Sequence, residues 1–243
     1  MTGEVAGVVR RRVSWPKTYR IIRSIHPPID LFEDIADPHD WEALASVEAK
    51  TNPRVRGLIG DLSKVPKNRR VGGLGASLVM APFVHASPLR PGRFTDGSYG
   101  LYYAGDSEDV AIAETIHHHQ RFMVATKEAP GWTSDFRVLV GAVDRELDDV
   151  SAVPGALDPD DYSASQALGR ELRAAGSDGV VYPSVRGAGG WCIGIFWPDV
   201  IPVPVQGAHY CYHWNGTRVD FVKRYEADEA NTVFEVITPT RES

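Results

Sequence analysis

The chain has 243 residues, 43% of them hydrophobic and 24% charged, with 17 prolines and 23 glycines. That length buries one substantial core, and prolines and glycines spread throughout exclude a helical bundle or a repeat array. The net charge of -6 excludes broad attachment to a nucleic-acid backbone, and two cysteines alone, Cys192 and Cys211, exclude a disulfide framework and fit a reducing compartment.

Met1 to Lys17 hold no apolar segment of signal-peptide length and no later stretch approaches a membrane span, so a cytoplasmic protein is expected. Arg10, Arg11 and Arg12, the one tight basic cluster, read as a solvated N-terminal arm. Thr18 to Ile25 reads as a strand that Pro27-Pro28 stops, because proline removes a ladder donor. Trp41 to Lys50 reads as a helix with Asp37 or Asp40 as cap, and the polar run from Asn52 to Arg70 predicts no element. Pro82 breaks the apolar run Leu78 to His85, which reads as an edge strand or an extended loop.

Gly100 to Ala104 reads as a strand. A helix follows, capped by Asp106 and running to about Ala125, with Val110, Ala113 and Ile116 on its buried side. Phe136 to Val143 is strand-like, and Tyr162 to Ala175 is an amphipathic helix ended by Gly176. Thereafter Val180 to Pro183, Trp191 to Trp197, Ala208 to Trp214, Thr217 to Tyr225 and Thr232 to Ile237 read as strands, with a hairpin turn at Asn215-Gly216. These elements predict an α+β fold, a mixed or antiparallel sheet with flanking helices in a single domain spanning 1–243.

The informative region is GRFTDGSYGLYYAGDSEDVAIAETIHHH, from Gly92 to His119: an arginine in a turn-rich segment, a tyrosine pair on a strand, then a glutamate and three histidines on a helix. With the later serine in VVYPS, this pattern resembles the RES family of bacterial toxins, named for Arg, Glu and Ser. The resemblance runs from about Tyr19 to Pro198. It places the family arginine on Arg93, the strand tyrosine on Tyr102 or, shifted by one, Tyr103, the glutamate on Glu114 and the serine on Ser184. An early aromatic-Arg pair falls on Tyr19-Arg20, and a histidine one turn beyond the glutamate on His117. The resemblance implies a fold related to ADP-ribosyltransferases, NAD consumed as a substrate with no resident cofactor, and a helical, Xre-like DNA-binding antitoxin that occludes the cleft. A homodimer within that assembly follows the usual symmetry of such complexes. The segment Phe32 to Gly75 and the β-rich tail after Val205 lie outside what the resemblance carries.

The residue types suit NAD. An arginine fork makes two charge-assisted hydrogen bonds to a phosphate where lysine offers a point charge, which points to Arg93 and Arg20. Loss of nicotinamide leaves a cation-like ribose carbon that a carboxylate, Glu114, can stabilise. Tyr102, or Tyr103 as the shifted possibility, can stack on a flat ring and fix its orientation through the hydroxyl. The other must face away, since neighbours on a strand point to opposite sides. Ser184 adds a hydrogen-bonding group; no Gly-x-Ser-x-Gly elbow marks it as a nucleophile. Glu114 and His117 sit three apart, but the second Glu-x-x-His of a di-iron site and a His-Glu-x-x-His motif are both missing, so no metal is expected. Neither glycine-rich stretch, Gly72 to Gly75 or Gly187 to Gly190, is a dinucleotide fingerprint or a phosphate loop. Phosphate, water or a protein side chain all remain open as acceptor of ADP-ribose. The rival reading is a non-catalytic protein that uses the pocket to sense a nucleotide or dock a partner.

Overall fold

The computed structural model describes residues 8–26, 29–33, 37–51, 54–187, 189–225 and 234–237. Pro27, Pro28, Ala188, Thr232 and Val233 lie outside them. The described residues contain eight strands: β1 (Val9–Arg23), β2 (Tyr102–Gly105), β3 (Trp132–Asp149), β4 (Gly179–Pro183), β5 (Trp191–Ile195), β6 (Val205–Trp214), β7 (Val219–Tyr225) and β8 (Phe234–Ile237). They also contain six α-helices: α1 (Asp30–Glu33), α2 (Trp41–Thr51), α3 (Arg54–Ile59), α4 (Ala76–Val84), α5 (Glu108–Thr126) and α6 (Ser163–Ala174).

The strand order is β1-β2-β5-β4-β3-β6-β7-β8, and β1 also pairs with β3, so that β1, β2, β5, β4 and β3 close into a ring. β3 and β4 run parallel, and every other pairing is antiparallel. The class is therefore α+β with a mixed, mostly antiparallel sheet, as the order of the predicted elements implies.

Alternation along the strands divides the core. Val143 and Leu147 of β3 and Tyr102 of β2 pack with Phe32, Trp41 and Phe83 from the first four helices. Phe136 and Val138 of β3 join Ile112 and Ile116 of α5, and Tyr182, Cys192 and Val180 join Leu168 and Leu172 of α6. This is the period of two that puts successive side chains on opposite faces.

Four readings of the sequence are corrected. Arg10, Arg11 and Arg12 are not a free arm but lie in β1, where they pair with Asp148, Asp149 and Asp144 across the β1–β3 ladder. The run containing Pro82 is helix α4, with Val79, Met80, Phe83 and Val84 buried. Proline loses only its own N–H near the end of so short a helix, and burial of an almost wholly apolar segment overrides the break. The run from Asn52 to Arg70 is not without elements, since α3 and two single 3-10 turns, Leu62–Lys64 and Lys67–Arg69, lie within it. Finally, Ser107, not Asp106, caps α5, its Oγ accepting from the Val110 N–H at 3.3 Å. Asp106 Oδ2 instead accepts from the Trp191 N–H at 2.9 Å, tying α5 to β5. The β6–β7 hairpin turns at Asn215-Gly216 as expected: Gly216 has φ +98, and Asn215 Oδ1 accepts from the N–H groups of Thr217 and Arg218.

Candidate active site

The site assembles where the Arg93 loop, β2, α5 and the end of β4 meet. Glycine and hydroxyl residues shape the loop. Gly92 and Thr95 bridge to one another, Gly97 adopts φ +88, and Thr95 Oγ1 accepts from the Gly97 N–H at 3.0 Å. α6 clamps it from outside: Ser165 Oγ donates to the Arg93 carbonyl, and Gln166 Nε2 to the Gly92 carbonyl at 3.1 Å.

The Arg93 side chain is buried, and its Nη1 donates to the carbonyls of Asp158 at 2.6 Å and Ala156 at 3.4 Å. Its guanidinium carbon lies 4.6 Å from the centre of the Tyr162 ring. These contacts orient the plane while leaving Nε and Nη2 without a protein acceptor. Asp158 holds its turn rigid by accepting from the Asp160 and Asp161 N–H groups at 2.9 and 2.8 Å. Those N–H donors, with the nearby Arg93 charge, keep its carboxyl below the ordinary carboxylate range despite an opposing desolvation.

α5 buries Val110, Ala111, Ile112, Ile116, His119 and Met123, which leaves Glu114 half-buried at the helix margin. Ser184 Oγ donates to Glu114 Oε1 at 2.7 Å and itself accepts from the N–H groups of Gly187 at 2.8 Å and Arg186 at 3.2 Å. Two N–H donors occupy both hydroxyl lone pairs, so the one O–H is committed to the carboxylate. The Cys192 thiol donates to the same Oε1 at 3.9 Å, while among the described residues no protein hydrogen bond reaches Oε2. Glu114 is thus anchored through one oxygen and free at the other.

The tyrosine pair divides as strand alternation requires. Tyr102 is 1% exposed in the core cluster of the first four helices, with Arg20 stacked 4.8 Å over its ring and donating from Nη1 to the Tyr103 carbonyl at 3.0 Å. Tyr103 faces the other way, is half-buried, and accepts from the Phe94 N–H at 3.0 Å through its hydroxyl. Tyr19 packs against the α5 cluster. His117 is half-buried with Nε2 lacking a partner, and its pKa is held down to about 4, first by desolvation and then by Arg186, His118, Arg121 and Arg93. Arg93, Tyr103, Glu114, Ser184 and His117 therefore come together; Tyr102 and Arg20 lie on the opposite face of β2, and Tyr19 lies under α5.

Tyr182, Arg186 and Cys192 also belong to this cluster and were not singled out in the sequence. Tyr182 sits two residues before Ser184 on β4, directly opposite Cys192 in the ladder. Burial raises its phenol pKa, reinforced by Cys192, Tyr103 and Glu114 and opposed by Arg93. Period-two spacing from Ser184 was the available signal.

A family model described as "RES domain" matches residues 69–215. The chain belongs to the RES domain family. The matched segment holds Arg93, Tyr102, Tyr103, Glu114, His117 and Ser184 and continues through β6, beyond the expected end at Pro198, whereas Tyr19 and Arg20 precede it. An uncharacterized protein of Sinorhizobium fredii (strain NBRC 101917 / NGR234), y4oC, is 32% identical over 214 residues, 87% of this chain and 88% of that protein. Among solved structures, a chain of the M. tuberculosis MbcT–MbcA toxin–antitoxin complex is similar at 14% identity and a TM-score of 0.41, covering 83% of this chain and 85% of that one.

Proposed function

We propose that this RES domain protein is the toxin of a toxin–antitoxin pair and cleaves the nicotinamide–ribose bond of NAD, passing ADP-ribose to phosphate, water or a protein side chain. The observation that carries the reading is the pairing of a one-sided carboxylate, Glu114, with arginines that have no carboxylate partner. Arg10, Arg11, Arg12, Arg69, Arg70, Arg170 and Arg224 all lie in ion pairs, whereas among the described residues no carboxylate lies within ion-pair distance of Arg93 or Arg186; the same holds for Arg20, Arg137 and Arg173, but Arg93 and Arg186 are the ones in the Glu114 cluster. A buried, oriented guanidinium without an ion-pair partner favours an anionic ligand.

In this reading Arg93 grips the phosphates of NAD, and Tyr103, the shifted possibility, takes the stacking role that the sequence gave first to Tyr102, because Tyr102 is buried on the opposite face of β2. Glu114 Oε2 faces the ribose, where its charge stabilises the cation that forms as nicotinamide leaves. Ser184 serves as a positioning residue: both its lone pairs are engaged by the Arg186 and Gly187 N–H groups, so none is left to attack the ribose carbon. Family membership supports the toxin role and, with it, a helical, Xre-like antitoxin that covers the cleft. Among the described residues no helix is long and apolar enough to cross a membrane.

The test is Glu114→Gln, nearly isosteric and still able to accept from Ser184. NAD turnover, followed by mass spectrometry of the products with and without phosphate, should fall by about 100-fold or more with an unchanged urea midpoint. Turnover near the parental rate in the folded variant sinks the assignment.

A further inference from the structure

Arg186 follows Ser184 by two residues, and its own N–H donates to Ser184 Oγ, so its backbone is tied to the hydroxyl that holds Glu114. Its guanidinium reaches the other way and donates from Nη2 to the Pro159 carbonyl. Arg93 donates to the Ala156 and Asp158 carbonyls of the same segment. Two guanidinium groups from loops 93 residues apart in sequence, 186 less 93, are therefore seated on one four-residue strap, Ala156 to Pro159.

Each keeps unclaimed donors. Among the described residues Arg93 has no protein acceptor at Nε or Nη2, and Arg186 has none at Nη1 or Nε, the latter buried. Backbone carbonyls orient a cation without neutralising it, whereas a carboxylate would do both. Near this strap Asp158 and Asp161 spend side-chain oxygens on the N–H groups of their own turn, Asp158 on Asp160 and Asp161 and Asp161 on Ser163. The geometry thus presents two guanidinium groups, neither in an ion pair, on one strap.

We propose that Arg93 and Arg186 form a paired clamp for a diphosphate, one guanidinium to each phosphate, and that the strap from Ala156 to Pro159 sets the spacing that selects a diphosphate over a monophosphate. This rests on the reading of the site as an NAD site and extends it to a residue, Arg186, that determines specificity. With both ends of the diphosphate held, the ribose on its nicotinamide side is presented to Glu114.

The test compares ADP with AMP by calorimetry at constant salt, on the full chain with Arg186→Gln and Arg186→Lys, alongside NAD turnover. Parent protein should prefer ADP, and Arg186→Gln should weaken ADP about 10-fold or more while AMP changes by about 2-fold or less. Arg186→Lys, which keeps the charge but not the fork, should recover only part of the loss. Equal weakening of both nucleotides, or no preference for ADP in the parent, overturns the clamp. An ADP preference lost in Arg186→Gln in a protein that leaves NAD intact upholds the clamp and refutes the NAD reading alone.

Discussion

Gly169 in α6 is where the helix meets the Arg93 loop, and replacing it with alanine tests whether that contact sets the site. A Cβ there would lie 2.2 Å from the Phe94 carbonyl oxygen, 2.9 Å from its carbon and 3.0 Å from the Tyr99 hydroxyl. Ordinary carbon–oxygen contact is about 3.2–3.5 Å, so the deficit is about 1 Å, and because the obstacle is backbone no side-chain rotation relieves it. Either α6 or Phe94 must move, and Phe94 is bonded to Arg93 and donates to Tyr103. Overpacking of this kind costs about 1–3 kcal/mol, and alanine's better helix propensity returns about 1 kcal/mol, leaving a net loss of up to about 2 kcal/mol. A shift of about 1 Å in a catalytic arrangement lowers turnover about 100-fold. Urea unfolding measures the first effect and NAD turnover the second. A variant that gains stability and turns over NAD at the parental rate would show that α6 does not press on the loop.

Two further perturbations probe the tyrosine pair and the buried histidine. Tyr103→Phe removes the acceptor of the Phe94 N–H and should cost about 1–2 kcal/mol and lower NAD turnover about 10-fold, whereas Tyr102→Phe, which leaves that hydrogen bond alone, should stay near the parent; the opposite ranking in a side-by-side assay returns the ligand-facing role to Tyr102. His119 is buried against Phe136 and Tyr212 with Nε2 unpartnered, and desolvation first, then Arg23, holds its pKa down to about 4. The unfolded chain therefore takes up the proton first, near pH 6.5, and between that pH and about 4 this histidine withdraws up to about 3 kcal/mol of stability as the pH falls. Urea midpoints at pH 7.5 and 5 should converge in His119→Leu relative to the parent, and identical pH dependence in the two proteins would refute the assignment.

Much of the fold was legible because it is local. Alternation marked the ring strands and the hairpin at Asn215-Gly216, and the apolar residues around Glu114 marked a carboxylate held at a core margin. What escaped has partners far along the chain. Arg10, Arg11 and Arg12 looked solvated because Asp148, Asp149 and Asp144 lie more than 130 residues away, and α4 tolerates Pro82 because the sheet buries it. Strand parity showed that Tyr102 and Tyr103 face opposite ways. It could not show which faces the ligand, since that depends on the Phe94 N–H on one side and the first four helices on the other.

Charge is where local and global readings diverge most. A net charge of -6 argues against a phosphate-rich partner when summed over the chain, yet the sum is silent about where acids and bases meet. In the folded molecule seven arginines are matched with carboxylates, while Arg93 and Arg186 rest on carbonyls of one strap. Their positive potential is therefore concentrated beside Glu114 instead of being cancelled. An acidic protein can in this way exclude polyanions from most of its surface by like charge and still admit a small diphosphate at one point, because a short-range, desolvated guanidinium contact outweighs the screened repulsion of distant surface acids. In the proposed reading, selectivity for a small nucleotide over a nucleic acid follows from how the same arginines and carboxylates are distributed, without any excess of base over acid.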